Sequence, residues 1–153
     1  MLAHFGLDWH RSTNERIGQY MSASQSAQVA THRILVVDDD EAVRQFITKA
    51  LKGAGYEVVS AADGPQALSA QQQTRFDLCL VDFRMPEMNG DEVSRLLRRA
   101  DPDVKVLYFT GYSDHLFVSA PTLSANEAFL EKPAGVQSLL EAVSLLLFGR
   151  IRT

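Results

Sequence analysis

The sequence predicts a three-layer, doubly wound α/β fold built on a five-stranded parallel sheet. Five short apolar runs have the length of strands, and most of the segments between them repeat apolar residues at the spacing of a helix. Glycine, proline, aspartate and asparagine separate these segments, as turn-forming residues do. Strands that alternate with helices pair in parallel through right-handed crossovers, and this arrangement places helices on both faces of one sheet.

The first strand and helix are the most clearly marked. Residues 34–37 form a continuous, mostly β-branched run that is typical of a strand covered on both faces. Apolar residues then recur at helical spacing as far as Gly53 and Gly55, which can end a helix. Asp40 precedes this helix and is a candidate for its N-cap.

Four further strands follow in chain order. They are predicted at residues 56–61, 78–81, 104–109 and 128–131. Pro65 suits the first turn of the second helix, which we expect to run to about Gln73. The third helix carries Val93, Leu96 and Leu97 toward the core.

The last third of the chain is less uniform. Residues 111–127 contain Gly111, Pro121 and several small residues, so we expect only a short or broken fourth helix there. The fifth helix has a regular apolar pattern. Its predicted buried residues are Val136, Leu139, Leu140, Val143, Leu146 and Leu147.

Polar side chains follow the predicted strands where those strands end. Asp38 and Asp39 follow the first strand, Asp82 the third, Thr110 the fourth and Lys132 the fifth. An open parallel sheet binds ligands at the carboxyl ends of its strands, so these five side chains should gather at one edge. Three carboxylates, a hydroxyl and an ammonium group there describe a site for a divalent cation and a phosphoryl group.

The acids of this edge require a counter-charge. Carboxylates a few ångströms apart repel one another by roughly 1 to 4 kcal/mol per pair. Oxygen ligands in small number suit Mg²⁺, or alternatively Mn²⁺, which would neutralise Asp38, Asp39 and Asp82. Pro133 follows Lys132 and makes that bond a candidate cis peptide, from which the lysine can reach back over the acids.

Bulk composition limits the function classes. The formal net charge is −4, and the basic residues Arg95, Arg98 and Arg99 are best explained as the solvated face of a helix, so we expect no nucleic-acid binding. No apolar run approaches the roughly 20 residues of a membrane helix, so we expect no membrane partner. The single cysteine, Cys79, lies in an apolar run and is predicted to be a buried thiol, which fits a cytoplasmic location.

Four segments, in this order and at this spacing, resemble the receiver domain of bacterial two-component response regulators. They are residues 34–40 (ILVVDDD), 80–90 (LVDFRMPEMNG), 109–111 (FTG) and 129–133 (FLEKP). The resemblance covers about residues 32–148 and implies the flavodoxin-like strand order 2-1-3-4-5. Residues 1–31 are then expected to be an N-terminal extension or linker, and residues 149–153 a short tail.

The resemblance gives each residue of the site a role. It implies that Asp82 is the phosphoacceptor and that Asp38, Asp39 and Asp82 hold Mg²⁺ together with the backbone carbonyl of Arg84. It further implies that Thr110 is the switch hydroxyl, Lys132 the phosphate-binding lysine and Phe129 the aromatic that rotates inward on activation. We hypothesise in addition that Tyr112, with Arg84, partly screens the phosphoaspartate from water.

The function implied is a signalling module that catalyses only its own phosphorylation and dephosphorylation. The implied phosphodonor is a histidine kinase or a histidine phosphotransfer protein. The output would pass to a downstream protein at the face formed by the fourth helix, the fifth strand and the fifth helix. We expect a stand-alone response regulator without an output domain, because the chain begins with Met1 and ends shortly after the fifth helix.

Three alternatives remain open. The first is a receiver excised from a hybrid histidine kinase. The second is a Mg²⁺-dependent phosphohydrolase that uses an aspartyl phosphate, although such enzymes usually place a second acid where this chain has Arg84. The third is a degenerate receiver that acts by binding alone, against which the intact set of five site residues argues.

Overall fold

Five strands and four helices make up the regular structure of the described residues. The computed structural model describes residues 31–111 and 124–149, and nearly all of them belong to the second of two units into which the chain divides, His32–Thr153. In chain order the elements are β1 (Arg33–Val37), α1 (Glu41–Gly53), β2 (Glu57–Ala61), α2 (Gly64–Gln73), β3 (Leu78–Asp82), α3 (Gly90–Ala100), β4 (Lys105–Thr110), β5 (Glu127–Glu131) and α4 (Val136–Phe148).

The sheet has the order β2-β1-β3-β4-β5, and every neighbouring pair is parallel. This confirms the predicted fold class and the flavodoxin-like order. All five predicted strands are found within one residue of their expected ends. In the register of the sheet, Val37 pairs with Val81 and Asp82 pairs with Phe109, so the carboxyl ends of the central strands lie side by side.

Two apolar clusters, one on each face of the sheet, form the core. Ile47 and Leu51 of α1 join Leu139 and Val143 of α4 on one face. Residues of α2 and α3 fill the other face, among them Ala67, Val93 and Leu97. The helices therefore cover the sheet in two layers, as predicted for a doubly wound fold.

The prediction that Val136 is buried is wrong. Val136 is 45% exposed. It is the first residue of α4 and lies beside Phe46 and Leu140 at a surface groove between α1 and α4, instead of over the sheet. The helical period was correct, but the helix begins at this residue, and periodicity does not show where the sheet beneath it ends.

Aspartates begin the first two helices. Asp40 accepts hydrogen bonds from the backbone N–H groups of Ala42 (2.9 Å) and Val43 (3.2 Å), which confirms its prediction as an N-cap. Asp63 caps α2 through the N–H of Gln66 at 2.8 Å. These caps fix the points at which the chain turns from strand to helix. They therefore help to fix the positions of the residues at the strand ends.

The remaining sequence predictions concern the cysteine, membrane-spanning helices and the segments outside the receiver-like region. Cys79 is buried, as expected, and burial raises the pKa of its thiol to about 12. Among the described residues, no helix has the length and apolarity needed to cross a membrane. The predicted N-terminal extension, Tyr112, most of the predicted fourth helix and residues 150–153 lie outside the described residues.

Candidate functional site

The carboxyl edge of the sheet brings together the side chains that the sequence singled out. Asp38 follows β1, Asp82 and Thr110 are the last residues of β3 and β4, and Lys132 follows β5. Asp38, Asp82 and Thr110 are buried at 0%, 6% and 9% exposure, whereas Asp39 is exposed. Asp38, Asp82 and Thr110 therefore form the buried side of the site, and Asp39 lies at its solvent-exposed side.

Lys132 pairs with two of the acids. Its Nζ donates to Asp38 Oδ2 at 2.9 Å and lies 3.4 Å from Asp82 Oδ1. Its backbone N–H donates to the Thr110 carbonyl at 2.6 Å, and the Lys132–Pro133 peptide bond is cis. The chain after β5 thus holds the ammonium group over the acid pair.

Both the side chain and the backbone of Asp38 are hydrogen-bonded to neighbouring residues. Its Oδ1 accepts the backbone N–H of Asp40 at 2.9 Å, and its own carbonyl accepts from Arg44 Nη1 at 2.7 Å. The backbone N–H of Asp38 donates to the Ala61 carbonyl at 3.2 Å. The last two bonds hold the Asp38 backbone, and the bonds from Asp40 N–H and Lys132 Nζ occupy one carboxylate oxygen each.

The three acids can bind a metal ion. One carboxylate oxygen from each of Asp38, Asp39 and Asp82 can be chosen so that all three lie within 4.8 Å of one another. Three anionic oxygens at such separations match the chemistry of a hard divalent cation, which accepts few protein ligands and completes its shell with water or phosphate oxygens. The identity of the metal, and the role of the Arg84 carbonyl as a ligand, stay predictions.

Electrostatics also favour a positive ligand here. Burial and the neighbouring Asp38 charge raise the pKa of Asp82, Lys132 offsets only part of this rise, and the net result is a pKa of about 7 against the ordinary value of 3.8. For Lys132, burial lowers the pKa, but its hydrogen bond to Asp38 and the charges of Asp38 and Asp82 outweigh burial, so its pKa is raised. One lysine does not neutralise three acids, and a bound cation would.

In metal-free protein, this raised pKa should make stability depend on pH. Folded Asp82 binds a proton more tightly than unfolded Asp82, so the free energy of unfolding should fall as pH rises from about 4 to about 7 and level off above that. A pKa rise from 3.8 to about 7 corresponds to roughly 4 kcal/mol. Asp82→Asn should remove this dependence and, because an amide is also costly to bury, stabilise the protein at pH 8 by on the order of 2 kcal/mol.

Urea denaturation of the parent and of Asp82→Asn at pH 5 and pH 8, with a chelator present, tests this. Asp91→Asn, an exposed acid in the first turn of α3, is the matched control and should follow the parent's pH dependence. Equal pH dependence in the parent and Asp82→Asn would contradict the burial argument. Added Mg²⁺ should stabilise the parent more than Asp82→Asn.

Gly90 is a site residue that sequence reasoning missed. A Cβ on this glycine would lie 2.2 Å from the backbone oxygen of Asp82 and 2.9 Å from Phe83 Cα. Its N–H donates to the Phe83 carbonyl at 2.8 Å. Gly90 therefore allows α3 to begin directly against the phosphoacceptor candidate. In the sequence, Gly90 is only the last residue of the 80–90 segment, and nothing local signals a contact eight residues away.

Thr110 and Phe129 lie on the neighbouring strands β4 and β5. Thr110 ends β4 at the same edge as Asp82. Phe129 lies on β5, where its ring stacks on Tyr108 at a centroid distance of 5.0 Å and an interplanar angle of 26°. Their roles as switch residues stay predictions.

A model of the response regulator receiver domain matches residues 34–144. The chain belongs to this family. The match spans the whole strand-end site and so favours a receiver over the phosphohydrolase alternative. It makes the chain a receiver domain of a two-component system, a class of signalling module that partners with histidine kinases.

Named relatives show the receiver in two settings. The response regulator receiver protein CpdR of Brucella abortus (strain 2308) is 34% identical over 117 residues, which are 76% of this chain and 98% of that protein. The sensor kinase CckA of the same organism is also 34% identical, over 74% of this chain but only 12% of the kinase. Among solved structures, the chemotaxis protein CheY4 of Vibrio cholerae is 31% identical, with a TM-score of 0.64, and the match covers 77% of this chain and all of CheY4.

Proposed function

We propose that this receiver accepts a phosphoryl group on Asp82. The observation that carries the proposal is the strand-end cluster itself. Asp38, Asp39 and Asp82 can place three carboxylate oxygens within 4.8 Å of one another, and Lys132 Nζ stands 3.4 Å from Asp82 Oδ1. A nucleophilic carboxylate, an adjacent cation and ligands for a second cation are what a phosphoryl-transfer site needs.

Asp38, Asp39 and Asp82, with the Arg84 carbonyl, would hold the Mg²⁺ ion. When bound, the ion supplies positive charge to the oxygens of the transferring phosphoryl group. An oxygen of Asp82 forms a bond to phosphorus while the phosphorus–nitrogen bond of a donor phosphohistidine breaks, and the imidazole nitrogen keeps the electron pair. Lys132 Nζ, 3.4 Å from Asp82 Oδ1, neutralises a phosphoryl oxygen.

Thr110 and Phe129 then convert phosphorylation into a change of the protein surface. The Thr110 hydroxyl turns toward the new phosphoryl oxygens, and Phe129 enters the space that this movement frees. A downstream protein reads the change at the face formed by the predicted fourth helix, β5 and α4, because it binds one of the two states more tightly. Most of that predicted helix lies outside the described residues.

An apolar surface beside Lys132 suits the docking of the phosphodonor. This surface, the α1 patch, is lined by Ala42, Val43, Phe46, Phe109, Lys132, Pro133 and Ala134. Phe46 projects from it and is 41% exposed. Because Lys132 belongs to both the patch and the phosphoryl site, a protein seated on the patch brings its own reactive histidine close to Asp82.

Phe46→Ser should therefore slow phosphotransfer from a phosphorylated histidine kinase or phosphotransfer protein by about tenfold, which is the usual effect of truncating a central aromatic anchor. Phosphorylation by acetyl phosphate should be unchanged, since a small donor needs no docking surface. The control is Val59→Ser, another exposed apolar residue (37%) on the edge strand β2. Equal slowing with both donors would mean that Phe46 acts on the site and not on docking.

Acetyl phosphate with Mg²⁺ tests the proposed function directly. We expect a base-labile phosphoryl adduct that peptide mapping places on Asp82, and no adduct in Asp82→Asn or in the presence of a chelator. An unmodified parent chain under these conditions, with folding shown by circular dichroism, would reject the proposal. Modification of another residue would reject the role of Asp82.

We further propose that residues 32–148 act as a separate response regulator in the cytoplasm. The match to nearly the full length of CpdR supports a separate receiver, and the lone buried Cys79 fits a reducing compartment. The match to a segment of CckA supports the alternative, a receiver within a hybrid histidine kinase. An immunoblot of the source cell with antibody to this domain distinguishes a small protein from a kinase. The expected lack of nucleic-acid and membrane partners stays a prediction.

A further inference from the structure

Three aromatic rings form a row on one face of the sheet. Phe83 follows the end of β3, Tyr108 lies on β4 and Phe129 lies on β5. The Phe83 and Tyr108 ring centroids are 5.8 Å apart at 58°, and those of Tyr108 and Phe129 are 5.0 Å apart at 26°. Tyr108 and Phe129 are also direct partners in the register of the sheet. The row connects the residue after Asp82 with the candidate switch aromatic.

The two ends of the row differ in how firmly they are held. Phe83 and Tyr108 are each 4% exposed and belong to the buried core cluster. Phe129 is only partly buried and packs against the edge of that cluster. Interiors at core packing density do not release a ring readily, so Tyr108 is a fixed platform and Phe129 is the ring that can leave it.

The β5 strand, which carries Phe129, is itself held in place by an ion pair and by its pairing with β4. Glu127, two residues earlier on the same face of β5, forms an ion pair with Arg98 of α3. The β5 backbone pairs with β4 over five residues, from Val106–Glu127 to Thr110–Glu131. A change at Phe129 is therefore a rotation of its side chain and not a movement of the strand.

We propose that Tyr108 is a positioning residue that sets the equilibrium between the two side-chain positions of Phe129. The inference rests on the proposed function, in which Phe129 moves after phosphorylation. Phe129 has no hydroxyl group, so hydrogen bonding by its ring cannot distinguish the positions and packing must do so. Stacking on the Tyr108 face favours the position seen here, and Thr110, two residues after Tyr108 on the same face of β4, opens the other position when it turns away.

Loss of the Tyr108 ring should shift the equilibrium by about two- to tenfold toward the other position, the range expected for one aromatic pair. The measurement is ¹⁹F NMR of the full chain carrying fluorophenylalanine, with the Phe129 signal identified by its loss in Phe129→Leu. Beryllofluoride with Mg²⁺ supplies the reference for the fully switched position. In Tyr108→Leu, without beryllofluoride, the Phe129 signal should move toward that reference.

Tyr108→Phe is the conservative variant, because it keeps an aromatic ring, and it should keep Phe129 in the parent position. The labelled ring at position 108 adds one signal, which is identified because it remains when Phe129→Leu is combined with this variant. If Tyr108→Leu does not fold, Tyr108→Met fills a similar volume without an aromatic face and takes its place. An unchanged Phe129 signal in the folded Leu or Met variant overturns the inference, as does an equal shift in Tyr108→Phe.

Failure of this inference can be told from failure of the proposed function. If acetyl phosphate modifies Asp82 and the Phe129 signal responds to beryllofluoride, but Tyr108 substitutions leave that signal unmoved, only the role of Tyr108 is rejected. If Asp82 is not modified and Phe129 does not respond in the parent chain, the proposed function itself is wrong.

Discussion

Lys132→Met should lower the rate of Asp82 phosphorylation by acetyl phosphate by about 100-fold or more. Lys132 Nζ stands 2.9 Å from Asp38 Oδ2 and 3.4 Å from Asp82 Oδ1. In the proposed reaction, charge accumulates there on the transferring phosphoryl group. Removing one preorganised donor from such a site costs about 10²- to 10³-fold in rate. Methionine matches the length of the lysine stem and removes only the ammonium group.

The same substitution should destabilise the metal-free protein by about 3 kcal/mol. Asp38 has 0% exposure and Asp82 has 6%, so both depend on Lys132 for charge compensation that water cannot supply. Breaking a buried ion pair by removing one partner leaves an uncompensated charge, and this is more costly than losing the pair altogether. Mg²⁺ should recover part of the loss, because it neutralises the same carboxylates.

Controls separate the two effects of this substitution. Lys52→Met, on the exposed last turn of α1, should change stability by less than about 1 kcal/mol and leave the rate unchanged. Lys132→Arg keeps the charge in a wider, planar group and should recover most of the stability but little of the rate. A folded, Mg²⁺-saturated Lys132→Met protein that keeps more than a tenth of the parental rate would contradict the role of the lysine. Urea denaturation and single-turnover phosphorylation give both readouts.

The convergence of Asp38, Asp82 and Lys132 could be predicted because it depends on two local facts. Each residue follows an apolar run, and parallel strands end at a common edge. These facts do not require the loops to be known. The caps at Asp40 and the end of α1 near Gly53 were predictable for the same reason, since capping chemistry acts over a few residues.

Features that depend on non-local packing could not be predicted. The exposure of Val136 depends on where the sheet ends beneath α4, and the Tyr108–Phe129 stack depends on the register of β4 against β5. Hydrophobic spacing contains neither kind of information. The separation of Asp38 and Asp39 into a buried and an exposed acid is different, because adjacent residues at a strand end turn to opposite sides, which is a local rule.

Gly90 shows this limit most clearly, and Gly90→Ala should be among the most damaging small substitutions in the chain. A Cβ there would meet the Asp82 backbone oxygen at 2.2 Å and Phe83 Cα at 2.9 Å. Both are backbone atoms, so no rotamer change relieves the clash and α3 must move away from β3. Overpacking of this kind usually costs about 1 to 3 kcal/mol, and contact with rigid backbone places Gly90→Ala at about 3 kcal/mol.

The site should be affected together with the fold, because the displaced backbone atoms belong to Asp82, the proposed phosphoacceptor, and to Phe83. Movement of α3 weakens the 2.8 Å hydrogen bond from Gly90 N–H to the Phe83 carbonyl and shifts the residues on either side of that bond. We expect Mg²⁺ affinity and the rate of Asp82 phosphorylation each to fall by about tenfold or more, since a displacement of about 1 Å at a phosphoryl-transfer site can cost 100-fold.

Gly53→Ala is the matched control for Gly90→Ala. A Cβ at Gly53 meets nothing within 4 Å, and the residue ends α1, so alanine should stabilise the protein by about 0.5 to 1 kcal/mol. Urea denaturation of both variants, followed by Mg²⁺ titration and acetyl phosphate kinetics on folded protein, measures the difference. If Gly90→Ala lost less than about 1 kcal/mol and kept the parental rate, the close approach of α3 to Asp82 would not be needed for the site. The position of Asp82 would then depend on β3 and Lys132 alone.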